Sequence, residues 1–195
     1  MFKFAAVTET PDQMNNPQHD IILVNSRDEE TGTAEKMDAH YKALLHRAFS
    51  VFIFNNAGEM LLQQRALSKY HSGGLWTNAC CSHPKPGEGT MAGAERRLKE
   101  ELGFTTNLHK AFDFIYTAAF DNGLTENEFD HVYTGTYNGL IKPNVEEVMD
   151  YVYKPMELIR QELTDKPEIY TAWFIIAFPK LEEYLEKTAI IKVDR

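Results

Sequence analysis

The sequence has few cysteines, few basic residues and no long apolar run. Its two cysteines, Cys80 and Cys81, are adjacent within 195 residues, so reduced thiols are expected rather than a disulfide framework. Twenty Lys and Arg face 29 Asp and Glu, and this net charge of −9 argues against a general nucleic-acid binder. The longest apolar run, 172–178, is far shorter than the roughly 18 residues of a membrane span. We expect a cytoplasmic protein with neither a membrane nor a nucleic-acid partner.

The length and the 43% hydrophobic composition suit one globular domain of ordinary size. Residues 1–19 show no clear hydrophobic period, so we expect a flexible N-terminal arm ahead of a single domain over residues 20–195. Strand patterns outnumber helix patterns and do not alternate strictly with them. This arrangement favours an α+β fold in which helices flank a mixed β-sheet.

A hairpin and a helix are the clearest local predictions. Residues 48–55 and 59–64 flank Asn56-Ala57-Gly58 and predict a β-hairpin. Residues 91–102 predict a helix with Thr90 as its N-cap and Gly103 just after its end. The remaining predictions are helix or loop over 33–46, strands over 20–25, 76–81, 112–120, 129–137 and 148–153, and helices beginning at Pro155 and at Pro167, the latter reaching about residue 186.

Histidines and glutamates could form a divalent-metal site, because imidazole and carboxylate groups both bind such ions. If residues 79–83 are extended, Cys81 and His83 project from one face. Glu126 and Glu128 repeat that spacing where a loop enters a strand. Taken singly, each residue is more often structural. The candidate ligands are His40, His46, His83, Glu126 and Glu128, whereas His19, His71, His109 and His131 belong to no pattern and receive no role.

The helix after the cysteines places Arg96 above Glu100 and Arg97 above Glu101. One interpretation is two exposed ion pairs of about 0.3–0.5 kcal/mol each. The other is a helix that presents carboxylates to Mg²⁺ and an arginine to phosphate. Composition does not decide between them.

A second basic pair, Arg65 and Lys69, follows a predicted strand. Two cations four residues apart could clamp a diphosphate if they point into a cleft. As an isolated motif, such a pair is more often a solvated turn.

The helix and its approach resemble the Nudix box, G-x5-E-x7-R-E-U-x-E-E-x-G-U, where U is aliphatic. The positions that match are Glu88, Arg96, Leu98, Glu100, Glu101 and Gly103. Two positions depart: Ser82 replaces the first glycine, and Arg97 replaces the glutamate after the arginine. Nudix hydrolases use that glutamate in the metal cluster that activates water, so the resemblance implies that hydrolysis is impaired here.

Several further segments resemble one branch of the Nudix superfamily, the type I isopentenyl-diphosphate Δ-isomerases. They are HRAFSVFIFN (46–55), QQRALSK (63–69), WTNACCSHP (76–84), ENE (126–128) and EVMDY (147–151). The resemblance covers about residues 20–180. It implies a Nudix-like α/β/α sandwich and an enzyme of isoprenoid biosynthesis. That enzyme would interconvert isopentenyl and dimethylallyl diphosphate by an antarafacial 1,3-proton transfer.

The resemblance also implies roles for individual residues. Cys81 matches the catalytic acid, and Cys80 matches a variable position that we interpret as packing. Glu128 matches the metal-bound base, Tyr116 its phenolic partner, and Trp173 an aromatic residue of the cavity. The ligands of a tightly bound Mn²⁺, Zn²⁺ or Mg²⁺ would be His40, His46, His83, Glu126 and Glu128. Glu101 would hold Mg²⁺ against the diphosphate, whose cationic contacts would be Lys36, Arg65, Lys69 and Arg97.

The implied reaction makes strong demands on a site. Protonating an unactivated alkene gives a tertiary carbocation, so an acid and a base must face opposite sides of the substrate in a dry, electron-rich cavity. Two other functions stay open for the sequence: a Nudix pyrophosphohydrolase of a small diphosphate, and a non-catalytic diphosphate-binding domain. In each case the partner is a small-molecule diphosphate; for the isomerase it is allylic or homoallylic. The sequence does not decide whether the protein is a monomer or a dimer.

Overall fold

The protein is described by a computed structural model that covers residues 20–193, with side chains to residue 188. The predicted arm over residues 1–19 lies outside the described residues. The strands are β1 (Asp20–Val24), β2 (Glu30–Glu35), β3 (His46–Phe54), β4 (Met60–Arg65), β5 (Trp76–Asn78), β6 (Cys80–Ser82), β7 (His109–Ala119), β8 (Thr125–Thr136) and β9 (Val148–Lys154). The helices are α1 (Lys36–Tyr41), α2 (Thr90–Leu102), α3 (Met156–Asp165) and α4 (Ala172–Val193), with a 3₁₀ turn at Pro167–Ile169.

Strand β3 organises a nine-stranded mixed sheet. It pairs in parallel with β8 along its whole length, from His46 opposite Glu128 to Phe54 opposite Thr136. On its other side it pairs antiparallel with the short strand β6, which sets Ser50 opposite Cys81. Strands β6 and β8 therefore lie on opposite sides of β3.

Alternation along β3 divides the hydrophobic core into two layers, because successive side chains of a strand face opposite ways. Phe49, Val51 and Ile53 pack with α2. Phe52 packs with α3 and α4 on the other face. This is the expected α/β/α sandwich with a mixed sheet in a single domain. The same alternation sends Cys80 into the α2 layer and Cys81 toward the α4 layer.

Most predicted elements are present, but several differ from the prediction, and the strand predicted over 76–81 is divided into β5 and β6. Residues 33–46 contain the end of strand β2 and the short helix α1, rather than one helix or a loop. Helix α2 begins at Thr90 with Gly89 as its N-cap and no side-chain cap, so Thr90 is not the N-cap. Glu126 and Glu128 lie inside β8 instead of at a loop boundary, because the β7–β8 ladder extends to Thr125.

The helix predicted from Pro167 is interrupted. Residues Pro167–Ile169 form the 3₁₀ turn, and α4 begins only at Ala172. A bridge between Trp76 and Tyr170 holds the intervening backbone extended, and the Thr171 amide donates to the Trp76 carbonyl at 3.0 Å. This junction places Trp173 at the start of α4, beside the sheet. Among the described residues, no helix is long and apolar enough to cross a membrane.

Candidate active site

A narrow cleft, partly open to solvent, lies at the α4 face of β3 and β8. Every residue that the sequence singled out for the site lines it, except His40 and His46, which are fully buried behind it. The lining residues are Lys36, Arg65, Lys69, Tyr70, His71, Cys81, Ser82, His83, Arg97, Glu101, Tyr116, Glu126, Glu128 and Trp173. Residues that are up to 137 positions apart in sequence thus meet in one place.

Histidine and glutamate donors converge at the inner end of the cleft. One donor atom from each of His40, His46, His83 and Glu126 lies within 4.8 Å of the other three. Glu128 adds a carboxylate oxygen that is 3.0 Å from His83 Nε2. These donors come from α1, β3, the segment after β6, and β8, so the fold assembles the set that the sequence predicted.

Hydrogen bonds orient two of these imidazoles toward a common centre. His40 Nδ1 donates to the Lys36 carbonyl at 2.6 Å, and His46 Nδ1 donates to the Leu44 carbonyl at 2.8 Å. Because the proton of each ring then sits on Nδ1, both Nε2 lone pairs point inward. Nε2 of His46 and Nε2 of His83 are 3.1 Å apart.

These donors fit a divalent cation. His40 Nε2 and Glu126 Oε2 are buried without an aligned hydrogen-bond partner. Burial lowers the pKa of His83 to about 4 against the opposing effect of Glu128, which favours the neutral imidazole that a metal requires. Imidazole and carboxylate ligands together suit several divalent metals.

The Cys81 thiol is held on the opposite side of β3 from Glu128. Its S–H donates to Asn78 Oδ1 at 2.9 Å. The Asn78 amide cannot flip, because its Nδ2 donates to the carbonyls of Val51 and Cys80. Burial raises the pKa of Cys81 far above its usual value, and the charge of Asp130 acts in the same direction. The thiol therefore keeps its proton.

Each carboxylate oxygen of Glu128 contacts a different side chain. Tyr116 donates its hydroxyl to Oε2 at 2.6 Å, and His83 lies against Oε1. Burial and the charge of Glu126 oppose ionisation, but the neighbouring imidazoles of His46 and His83 keep the pKa of Glu128 below its usual value. Burial also raises the pKa of Tyr116 well above its usual range, so the phenol stays a donor. A protonated thiol and a carboxylate thus enter one cleft from strands on either side of β3, whose backbones are about 10 Å apart at normal strand spacing.

Cations and one buried carboxylate form the other end of the cleft. Glu101 accepts from Gln63 Nε2 at 2.9 Å and from Arg97 at 2.7 Å. Burial lowers the pKa of Lys69 to about 8 against the attraction of Glu101, and neighbouring cations add to that decrease. Lys36 lies with its Nζ 4.8 Å from the centre of the Tyr70 ring. Such a cluster can bind a polyanion and bring a metal against it.

Both arginines of α2 make the expected i,i+4 ion pairs, but their positions differ. Arg96 points away from the cleft and pairs with Glu88 and Glu100 at the surface. Arg97 lines the cleft, and its guanidinium contacts Glu101 and Glu147. Glu147, for which no individual role was predicted, also pairs with Lys69.

The indole of Trp173 belongs to a hydrogen-bond chain. Its Nε1 donates to Thr77 Oγ1 at 2.9 Å, and Thr77 donates to Asn78 at 3.0 Å. The guanidinium of Arg65 lies 5.1 Å from the centre of the ring. Trp173 is therefore a cleft residue and not only a residue of the helical core.

His71 is the clearest functional candidate that sequence reasoning missed. Its Nε2 lies 3.0 Å from Glu126 Oε1 inside the cleft. It belongs to the loop between β4 and β5 and follows no periodic pattern, so only the three-dimensional fold brings it to Glu126. Asn78 was also not predicted as a site residue, although it lies in the segment WTNACCSHP that carries the family resemblance.

Known proteins resemble this chain over most of its length. A family model described as NUDIX domain matches residues 44–174. An isopentenyl-diphosphate Delta-isomerase from Pectobacterium atrosepticum is 46% identical over 168 residues, which cover 86% of this chain and 94% of that protein. One from Serratia proteamaculans is 47% identical over 80% of this chain and 87% of that protein. The chain belongs to the isopentenyl-diphosphate Delta-isomerase family of Nudix proteins. Membership of this family implies a small diphosphate substrate and dependence on a divalent metal.

Solved structures support the Nudix fold. DR0079 from Deinococcus radiodurans superimposes with a TM-score of 0.70 at 17% identity, over 83% of this chain and 98% of that one. A MutT protein from Methanosarcina mazei gives a TM-score of 0.60 at 20% identity, over 74% of this chain and 95% of that one. At these identities the likeness establishes the fold alone.

Proposed function

We propose that the cleft interconverts isopentenyl diphosphate and dimethylallyl diphosphate by an antarafacial 1,3-proton transfer, in isoprenoid biosynthesis. The observation that carries the proposal is that the Cys81 thiol and the Glu128 carboxylate enter one cleft from strands on opposite sides of β3. The names of the related isomerases agree with this reaction. In this proposal Cys81 is the acid and Glu128 is the base.

The acid step begins at the Cys81 sulfur. Its S–H bond breaks, and the proton forms a new C–H bond at the terminal alkene carbon while the thiol electrons remain on sulfur. The carbocation forms at the third carbon. The hydrogen bond to Asn78 Oδ1 supports this role because it holds a protonated thiol in one orientation. Trp173 supplies a π face to the cation, an interaction of about 0.5–2 kcal/mol.

The base step belongs to Glu128. A C–H bond at the second carbon breaks, its electrons form the new double bond, and Glu128 takes the proton. Tyr116 orients the carboxylate through the 2.6 Å hydrogen bond to Oε2. Exchange with solvent then restores the thiol and the carboxylate.

Two metal sites accompany these residues. His40, His46, His83, Glu126 and Glu128 would hold the tightly bound divalent ion, whose bound charge would fix the carboxylates and keep Glu128 ionised. Mn²⁺, Zn²⁺ and Mg²⁺ all suit this donor set. Glu101 would hold Mg²⁺ against the substrate diphosphate.

The diphosphate takes no part in bond making. Lys36, Arg65, Lys69 and Arg97 surround the end of the cleft where it would bind. Its binding energy can hold the alkene between Cys81 and Glu128, which turns anion binding into orientation at the reacting carbons. The positive charge of Arg97 stands where a Nudix hydrolase carries a glutamate, which favours isomerisation over hydrolysis.

Adjacent cysteines offer a matched test of the acid. We expect Cys81→Ala to lower kcat for isopentenyl diphosphate about 10²–10⁴-fold, the usual contribution of a positioned acid. Cys80→Ala should keep kcat within a small factor, because Cys80 packs against α2 on the other face. Dimethylallyl diphosphate and free phosphate would both be measured. Near-full activity of Cys81→Ala would remove Cys81 as the acid, and release of phosphate or pyrophosphate would indicate a hydrolase.

A further inference from the structure

His71 is buried among the aromatic rings of Tyr70, Phe120 and Trp173, beside the metal-site candidate. It is 8% exposed, and its ring stacks on Phe120 with centroids 4.7 Å apart and planes 14° apart. The edge of the ring meets Trp173 with centroids 5.5 Å apart. The stacking holds His71 so that Nε2 faces Glu126 Oε1 at 3.0 Å.

Glu126 divides its two oxygens between different neighbours. Oε2 lies 3.0 Å from His40 Nε2 and 4.0 Å from His46 Nε2, within the cluster of donors. Oε1 faces His71. The set of donors that lie within 4.8 Å of one another includes His40, His46 and His83 but does not include His71. His71 therefore contacts the carboxylate from outside the metal-binding set.

The neighbours of His71 define its tautomer. A carboxylate oxygen only accepts hydrogen bonds, so Nε2 must carry the proton that faces Glu126. Ser72 Oγ lies 3.2 Å from Nδ1 and can donate to it. Nε2 is buried without an aligned hydrogen-bond partner, and Glu126 Oε1, 3.0 Å away, is an acceptor within reach of its proton.

We propose that His71 is a positioning residue for the tightly bound divalent metal. Its Nε2–H holds Oε1 of Glu126, which leaves Oε2 facing the other donors. The inference rests on the proposed metal site and adds a residue to it. Partners that orient a metal-binding group in this way commonly change metal affinity about 10–100-fold when they are removed.

Two substitutions separate the hydrogen bond from the packing. His71→Phe keeps an aromatic ring against Phe120 but has no donor, whereas His71→Gln keeps an N–H donor without the ring. We expect His71→Phe to lose metal to a chelator about 10–100-fold faster than the unmodified protein. His71→Gln should retain it much longer than His71→Phe. His109→Phe, at an exposed histidine outside the cleft, is the matched control.

The experiment measures bound Mn²⁺ or Zn²⁺ by elemental analysis during chelation, with His83→Ala as the reference for a lost ligand. If His83→Ala holds as much metal as the unmodified protein, the proposed metal site fails. If His83→Ala loses metal but His71→Phe retains it normally, only the inference on His71 is overturned. Equal metal loss from His71→Gln and His71→Phe would also overturn it, because packing would then be the cause. Should His71→Phe fail to fold, Ser72→Ala tests the same tautomer, and unchanged metal loss in it contradicts the proposal.

Discussion

Asn78 shows how individual residues hold the proposed acid in place. It accepts the S–H of Cys81 while its own amide is fixed by two backbone carbonyls. Thr77 then extends the chain of hydrogen bonds to Trp173. The buried polar groups of this chain are bonded to one another, which fixes their orientations without solvent. The proposed acid is therefore positioned by neighbours on β5 as well as by its own strand, β6.

Neighbouring arginines on α2 give a prediction about diphosphate binding. Arg97 lines the cleft, whereas Arg96 pairs with Glu88 outside it. A charge-assisted contact contributes about 1.5–3 kcal/mol, so Arg97→Gln should lower kcat/KM about 10–150-fold, mainly through a higher KM. Arg96→Gln is the control and should change KM little. Equal effects of the two substitutions on KM would contradict the placement of the diphosphate beside Arg97.

Site residues that lie two positions apart on one strand face were easier to predict from the sequence than isolated site residues. Cys81 and His83 share a face through the period of two, and Glu126 and Glu128 repeat that spacing. His71 has no such partner, because its contact with Glu126 spans 55 positions and depends on the loop between β4 and β5. Loop side chains of this kind reach a site only through tertiary structure.

At the scale of elements, the end of α2 shows a local signal that the sequence carries well. Gly103 follows the helix at φ 75, and its amide donates to the Lys99 carbonyl. A Cβ at this position would come within 2.4 Å of the Lys142 carbonyl oxygen. Glycine is therefore required both by the left-handed backbone and by the close approach of another segment.

A matched pair of glycines separates these two requirements. Gly58 has φ 77 but open space around it, so Gly58→Ala tests backbone strain alone. We expect Gly103→Ala to lower the free energy of unfolding by about 1–3 kcal/mol more than Gly58→Ala, since the backbone contact must also be relieved. Urea denaturation of the two variants measures the difference. Equal losses of unfolding free energy in the two variants would show that the backbone around Lys142 moves aside without a measurable loss of stability.

A junction between β9, α3 and the 3₁₀ turn gives a prediction about acid stability. Glu162 accepts from Lys154 at 2.5 Å and from Tyr170 at 2.6 Å. Burial opposes ionisation of Glu162, but these hydrogen bonds lower its pKa to about 2 from an ordinary value near 4.5. The stabilisation is therefore fully present above pH 4.5 and is lost as the pH falls toward 2.

The corresponding variant is Glu162→Gln. It should unfold more easily than the unmodified protein at pH 7, by about 1.5–3 kcal/mol, and the difference should shrink as the pH falls below 4.5. Glu157→Gln, an exposed residue of the same helix, is the control. Denaturant titrations at several pH values measure the difference. A difference that stays constant from pH 7 to pH 3 would contradict this assignment.

For the whole molecule, the sequence predicted which segments form strands better than it predicted which strands pair with each other. The β3–β4 hairpin is local, and its turn residues mark it directly. The parallel pairing of β3 with β8 joins residues about 82 positions apart, and no periodic pattern encodes its register. That register nevertheless sets His46 beside Glu128, so the physical basis of the site is a long-range pairing. The family resemblance supplied the grouping that periodicity could not.

The same topology accounts for the proposed direction of proton movement. Strand β3 separates β6 from β8, so the thiol and the carboxylate approach a bound substrate from different sides. In the proposed reaction, the cations at one end of the cleft would hold the diphosphate away from both groups. A net charge of −9 does not prevent this, because local cations decide the field in the cleft.

Conversion of isopentenyl diphosphate in deuterated water with Mg²⁺ tests this account most directly. We predict one solvent deuterium in a methyl group of each dimethylallyl diphosphate formed in the forward direction, with no phosphate released. Cys81→Ala should abolish most of that incorporation. Product that forms at the normal rate without solvent deuterium, or incorporation that persists undiminished in Cys81→Ala, would contradict proton delivery by the thiol.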